Sequence, residues 1–124
     1  MKNIKVSVLI ANYNNEKYIK DCINSLIHQT YKNIEIIFHD DCSNDNSLKV
    51  IKKYKNIKII KNKKRTNIGS FNQIKGYQKA FKKSSGDIIF FLDSDDFFRL
   101  NKIRKIVKIF EKNKNISAVF DLPI

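Results

Sequence analysis

Glycine is scarce in this chain: Gly69, Gly76 and Gly86 are the only three in 124 residues. None follows the first apolar run. A dinucleotide fingerprint and a Walker loop are therefore excluded, because both need glycines there to bring backbone N–H groups against phosphate. The single proline is Pro123, so no proline ring interrupts a helix or strand before the last two residues. Cys22 and Cys42 are the only cysteines; with no CxxC spacing and no disulfide framework, they read as reduced structural thiols. His28 and His39 lack metal-ligand spacing, and no Ser-His-Asp or Cys-His arrangement has supporting context. No apolar run approaches the roughly 20 residues that span a bilayer. The opening MKNIKVSVLIANYNN breaks its short apolar run with Asn and Tyr, unlike a signal peptide. A cytoplasmic protein is expected.

Acidic residues are the other shortage, 12 against 25 basic, for a net charge of +13. Such a charge suits nucleic acid, an anionic membrane surface or phosphorylated substrates. Yet 22 of the 25 cations are lysine, and lysine, isoleucine and asparagine are abundant together. That combination points first to compositional bias and a solvated basic surface. With 42% hydrophobic and 30% charged residues, the chain has the balance of an ordinary folded domain, and its length suits one domain spanning 1–124.

The order of the chain is an alternation. VSVLI (6–10), IEIIF (34–38), IKII (57–60), IIFFL (88–92) and ISAVF (116–120) are short β-branched or aromatic runs and predict five strands. Between them lie helical patterns: Tyr18, Cys22, Ile23, Leu26 and Ile27 in the first, and Leu48, Ile51 and Tyr54 over 44–54 behind a Ser43 or Asn44 cap. Ile74, Tyr77, Gln78 and Phe81 mark a third over 70–83, and Ile103, Ile106, Val107 and Phe110 a fourth over 100–112. Strands alternating with helices predict an α/β, three-layer sandwich with a mainly parallel, Rossmann-like sheet.

In an open parallel sheet, ligands bind beyond the carboxyl ends of the strands. Those ends carry Ala11 to Asn15, then Asp40, Asp41, Cys42, Ser43 and Asn44, then Asp93, Ser94, Asp95 and Asp96. Five carboxylates at two strand ends of a basic chain mark that edge. Asp93-x-Asp95 can turn oxygens toward one point, and hard cations such as Mg²⁺ or Mn²⁺ take oxygen ligands and complete their shell with water and phosphate. The alternative is that these acids complement the N-terminus of the helix beginning near Leu100.

The stretch VSVLIANYNNEKYIKDCINSLIHQTYKNIEIIFHDDCSNDNS, then NIG, then SSGDIIFFLDSDDFF, resembles the nucleotide-sugar-binding half of the GT-A glycosyltransferases of family 2. The resemblance covers nearly all of residues 4–100 in order. It implies that Tyr13 flanks a uracil-type base beside Ala11, and that Asp41 accepts the base's imide N–H. It also implies that Asp93 holds the ribose or the metal, that Ser94 belongs to the nucleotide-sugar site, and that Asp95, with Asp93, holds Mn²⁺ or Mg²⁺ on the diphosphate, Asp96 being a third member of the acidic motif. Ala11-Asn12 stands where Pro-Thr or Thr-Ser is common, Cys42 and Asn44 stand where Gly and Thr are usual, and Leu100 replaces a proline. The segment after N-x-G reads Asn72-Gln73-Ile74-Lys75-Gly76 where the family has an arginine; Lys75 takes that role or is a solvated helix lysine.

The reaction so implied is inverting transfer of a sugar from UDP or another nucleoside diphosphate to a hydroxyl of a glycan or lipid-linked acceptor. The family's general base and acceptor site lie in a further region, so the sequence resembles a donor-binding half with its base outside this chain. Peripheral association with an anionic membrane surface, at the inner face, is the expected use of a basic surface on such an enzyme. Two other readings compete. A receiver-like phosphoacceptor module would use Asp40, Asp41 and Asp93, but the later strands lack its Thr/Ser and Lys pair. A nucleic-acid-binding α/β module would want clustered arginines, and this chain has three, far apart; no nucleic-acid partner is expected.

Overall fold

A computed structural model describes residues 3–120. Eight elements alternate: β1 (Val6–Asn12), α1 (Glu16–Ile27), β2 (Ile34–Asp40), α2 (Ser47–Ile51), β3 (Ile57–Lys61), α3 (Gly69–Lys82), β4 (Ile88–Asp93) and α4 (Lys102–Lys112). The four strands form one sheet in the order β3-β2-β1-β4, and every pairing is parallel. The most apolar run therefore occupies the centre: Val8 of β1 lies between Ile36 of β2 and Phe90 of β4, and Val6 to Ile10 are fully buried. A strand flanked and covered on both faces has no place for water, which is why its sequence does not alternate.

The faces are unequal. Val6, Val8, Ile10, Phe38 and Phe90 meet Ile19, Cys22, Ile23 and Leu26 of α1, Ile51 of α2, and Ile103 and Val107 of α4 in the main core. On the other face Leu9 and Ile37 meet Ala80 of α3 in a much smaller cluster. The predicted three-layer α/β arrangement is thus present, with one thick layer and one thin.

Several local expectations fail for identifiable reasons. Residues 116–120 form no strand: this run lies across a groove from β4, without a ladder, and Phe120 is 94% exposed. A β-branched run has no strand geometry of its own without a partner. The second helix is five residues, not eleven. Its first residues are used otherwise, since Asn14 Oδ1 accepts the N–H groups of Asn44 and Asp45, and Asp45 accepts those of Glu16 and Ser47; its last ones tighten into a turn, with the Lys53 and Tyr54 N–H groups on Val50 O and Ile51 O. In α1 the inward stripe is Ile19, Cys22, Ile23 and Leu26, leaving Tyr18 and Ile27 outside. In α3 the inward stripe is Asn72, Gly76 and Ala80, while Ile74 and Phe81 face out. Small residues win there because α3 lies against the sheet at close range, with Gly76 against the ring of His39.

The sheet order also removes the receiver-like reading. That fold runs 2-1-3-4-5, whereas an order of 3-2-1-4 is the mononucleotide half of a Rossmann-type sheet, whose ligand crevice opens where the order reverses, between β1 and β4.

Candidate functional site

The crevice at the β1–β4 reversal is a cleft of about 270 Å³. The register builds its floor: Ala11 lies between His39 of β2 and Asp93 of β4. Of the residues singled out from sequence, Ala11, Tyr13, Asp41, Asp93 and Asp95 all line it. Ser94 and Lys75 do not. Ser94 is fully buried, and its Oγ accepts an N–H from Asn15 at 2.9 Å, tying the β4 end to the β1 end. Lys75 stands on the outside of α3, its Nζ 5.5 Å over Phe71.

The loop after β2 is held by Asp40, which is buried and serves the backbone. Its Oδ1 accepts from Asn12 Nδ2 at 2.8 Å and Ser43 Oγ at 2.7 Å, and its Oδ2 from the Ser43 amide. This fixes a turn in which Cys42 adopts φ 57°, the left-handed conformation that glycine accepts most easily. A glycine, usual at this position in the resemblance, is thus replaced by a residue forced into the same backbone. Cys42 Sγ points its weak donor at Asn62 O, 3.2 Å away. Asp41 then turns into the cleft, where Asn62 Nδ2 donates to Oδ1 at 2.8 Å and Arg65 Nε to Oδ2 at 2.9 Å. The Arg65 guanidinium lies over Tyr13, 3.5 Å from the ring centroid.

At the β4 end, Asp93 Oδ1 accepts from Gln73 Nε2 at 2.7 Å and from the Tyr77 hydroxyl at 2.5 Å. Burial and the Asp93 charge push the Tyr77 phenol well above its ordinary value, so it stays a donor. The Asp96 N–H closes a turn on Asp93 O at 3.0 Å and its Oδ1 takes the Phe97 amide; Asp96 is outside the cleft lining. The helix-capping alternative for these acids fails, since α4 begins at Lys102 with no acid in its first turn. Cys22 sits behind the cluster, and burial together with Asp96, Asp95 and Asp93 pushes its thiol up to about 12. It is no nucleophile.

Asp93 and Asp95 are the cleft's carboxylates at this end, a two-carboxylate supply. That suits an ion such as Mg²⁺ or Mn²⁺, which keeps waters and takes the rest of its shell from phosphate. Both hydrogen bonds to the Asp93 carboxylate fall on Oδ1.

Arg65, Gln73, Asn72 and His39 also line the cleft, a role that no spacing or periodicity along the chain assigns them. Arg65 was hidden among lysines, though it is the one cation in 46–86 whose planar head suits stacking. Asn72 locks the β3–α3 loop, taking the Thr66 N–H and hydroxyl on Oδ1 and donating to Thr66 O. His39 is buried with Nε2 unpartnered among the described residues. Burial and then Lys79 lower its pKa against the opposing pull of Asp41 and Asp40, which keeps it neutral.

The sequence model of glycosyl transferase family 2 matches residues 7–123. Among curated proteins, the chain is 34% identical over 121 residues to the uncharacterized glycosyltransferase alr2836 of Nostoc sp., covering 98% of this chain and 37% of that protein. It is 31% identical over 103 residues to the poly(ribitol-phosphate) beta-N-acetylglucosaminyltransferase TarS of Staphylococcus aureus, covering 82% of this chain and 18% of TarS. The chain thus spans well under half the length of these relatives. Among solved structures, S. aureus TarS 1-349 in complex with UDP superposes with a TM-score of 0.79 at 29% identity, over 88% of this chain and 32% of that one. A mannosyltransferase of Pyrobaculum calidifontis, solved with GDP-Man and Mn²⁺, shares the fold at a TM-score of 0.77 and 16% identity, over 89% and 33%.

Proposed function

The chain belongs to glycosyl transferase family 2, and on that premise we propose that its cleft holds the nucleoside-diphosphate-sugar donor of an inverting sugar transfer. One observation carries the proposal: Tyr13, Asp41, Asp93 and Asp95 converge on a single cleft at the sheet's reversal point. In this reading a base lies on Tyr13 with its imide N–H on Asp41, and Asp93, set by Gln73 and Tyr77, takes the ribose. A uridine nucleotide is favoured because TarS, at 29% and 30% identity, was solved with UDP and with UDP-GlcNAc.

Asp95, with Asp93, would hold Mn²⁺ or Mg²⁺. Such an ion supplies Lewis-acid stabilisation of the charge that develops on the leaving diphosphate. The protein's own part is to fix the donor by its flat base and its ribose, and so to present the anomeric carbon on the open side of the cleft. Ser94 and Lys75 act at a distance: Ser94 braces the β1 and β4 loops, and Lys75 belongs to the solvated face. The acceptor is a hydroxyl of a glycan or lipid-linked glycan. The general base belongs to the acceptor region that the family resemblance implies, and no residue of the cleft is assigned to it.

The charge distribution supports association with an anionic membrane surface. Residues 46–86 carry thirteen Lys and Arg and no Asp or Glu, equal to the whole chain's net charge of +13. Compositional bias alone would scatter lysine evenly. Here the cations collect on α2, the edge strand β3 and the outer side of α3, where Lys49, Lys52, Lys61 and Lys82 are all exposed.

Isothermal titration of UDP into the protein tests the central reading. Binding that Mn²⁺ or Mg²⁺ strengthens and EDTA weakens is expected; a folded sample that binds no UDP with either ion would overturn it.

A further inference from the structure

Arg65 occupies the two positions that the proposed nucleotide base requires. Its guanidinium carbon lies 3.5 Å from the Tyr13 ring centroid, which is van der Waals contact. A flat ring slipped between them would need two such contacts, about 7 Å of separation. Its Nε donates to Asp41 Oδ2 at 2.9 Å, the oxygen pair's other member being taken by Asn62. The base of the donor needs an aromatic face and an acceptor for an N–H. A planar guanidinium with its N–H fork meets the same two partners with the same chemistry.

We propose that Arg65 is a built-in substitute for the base: it covers Tyr13 and saturates Asp41 while the cleft lacks a nucleotide, and it is displaced when one enters. This inference rests on the donor-site reading given above. The alternative, an arginine that stays in place and clamps the base from outside, needs the base on the other side of the guanidinium, where neither Tyr13 nor Asp41 can reach it.

The surroundings allow a swing of the side chain without a movement of the loop. The loop is pinned on both sides of Arg65, by Asn62 to Asp41 and Lys64 O and by Asn72 to Thr66. The Arg65 side chain is 27% exposed, so it has water to move into, whereas the Asp41 side chain is 7% exposed. A carboxylate that buried needs a partner before the nucleotide arrives, and Arg65 supplies it. Displacement therefore exchanges one donor for another on Asp41 and one flat group for another on Tyr13. Donor binding is weakened by the contacts given up, and a ligand without a flat N–H donor cannot replace them.

Binding of uridine, which carries no phosphate and no dependence on metal, tests the substitution in isolation. Chemical-shift titration is expected to show Arg65→Ala binding uridine about 5-fold more tightly than the unmodified protein, the loss of a partly exposed cation–π contact and ion pair. In the unmodified protein, the Arg65 Nε–H resonance should move toward solvent-exchanging values as uridine is added; this second measurement needs no variant. An affinity for uridine that is unchanged or reduced in Arg65→Ala, with an Nε–H signal that stays put, overturns the proposal. If UDP with Mn²⁺ still binds in that case, the donor-site reading stands without it. If neither uridine nor UDP binds either protein, both readings fall.

Discussion

Gly76 of α3 lies so close to His39 of β2 that a Cβ built on it would stand 2.7 Å from the ring Nδ1. His39 is itself buried and forms part of the cleft floor, so a methyl at position 76 would have to push the ring toward the cleft. The approach of α3 to the sheet, and hence the position of Gln73 and Tyr77 over Asp93, is set by this missing methyl.

Gly76→Ala should therefore destabilise the protein in spite of alanine's better helix propensity. Overpacking costs about 1–3 kcal/mol and the propensity gain returns about 1, for a net loss of up to about 2 kcal/mol and a thermal midpoint lowered by about 5 °C at a loss of about 1 kcal/mol. Gly69→Ala, where a Cβ meets nothing within 4 Å, is the control and should leave the midpoint unchanged or raised. Calorimetry of the two variants decides between them.

Glu35 anchors the opposite end of the sheet, accepting from Ser7 Oγ and the Ser85 amide, both at 2.5 Å, and pairing with Lys58 and Lys5. Burial alone would raise its pKa, but these donors outweigh it and hold the carboxyl at about 2 against an ordinary 4.5. A group depressed in the fold stabilises fully above pH 4.5, and that contribution is lost as pH falls from there through 2. Discounted for the partly exposed lysines, it is worth about 2 kcal/mol. Glu35→Gln should lower stability at pH 7 and flatten its dependence between pH 4.5 and 2 in urea titrations; parallel curves for the two proteins would contradict this.

Asp95→Asn should cost at least about 10-fold in Mn²⁺-dependent UDP affinity, since it removes one of two carboxylates in the proposed ion site. Asp96→Asn, outside the cleft, should change it by less than about 2-fold. Titrations run with Mn²⁺ and with EDTA separate loss of ion binding from loss of base binding: the residual metal-free affinity should be the same for Asp95→Asn and the unmodified protein.

The basic flank makes a prediction of its own. Cosedimentation with phosphatidylserine vesicles should exceed that with phosphatidylcholine vesicles and fall steeply between about 0.1 and 0.5 M salt. Lys49, Lys52 and Lys61 replaced together by Gln should reduce it without altering UDP affinity. Equal binding to both vesicle types would count against the membrane role.

The alternation of strands and helices and the burial of β1 are legible along the chain, because burial on both faces imposes an unbroken apolar run. The sequence also placed Ala11, Tyr13, Asp41, Asp93 and Asp95 at strand ends, and a parallel sheet brings its strand ends to one edge whatever the details. Other matters depended on distance between segments, which a pattern along one segment does not contain. Only the tertiary structure could put Arg65 on Tyr13, fifty-two positions away, or set Ser94 behind the cleft rather than within it. It alone showed that 116–120 lacks a strand partner, and that α3 turns its small residues inward and its large ones out. The apolar period of α3 marks a face that could be buried, but the close approach of a helix to a sheet rewards Gly76 and Ala80 over Ile74 and Phe81. That choice is made by the space available, and space is a property of the packed chain.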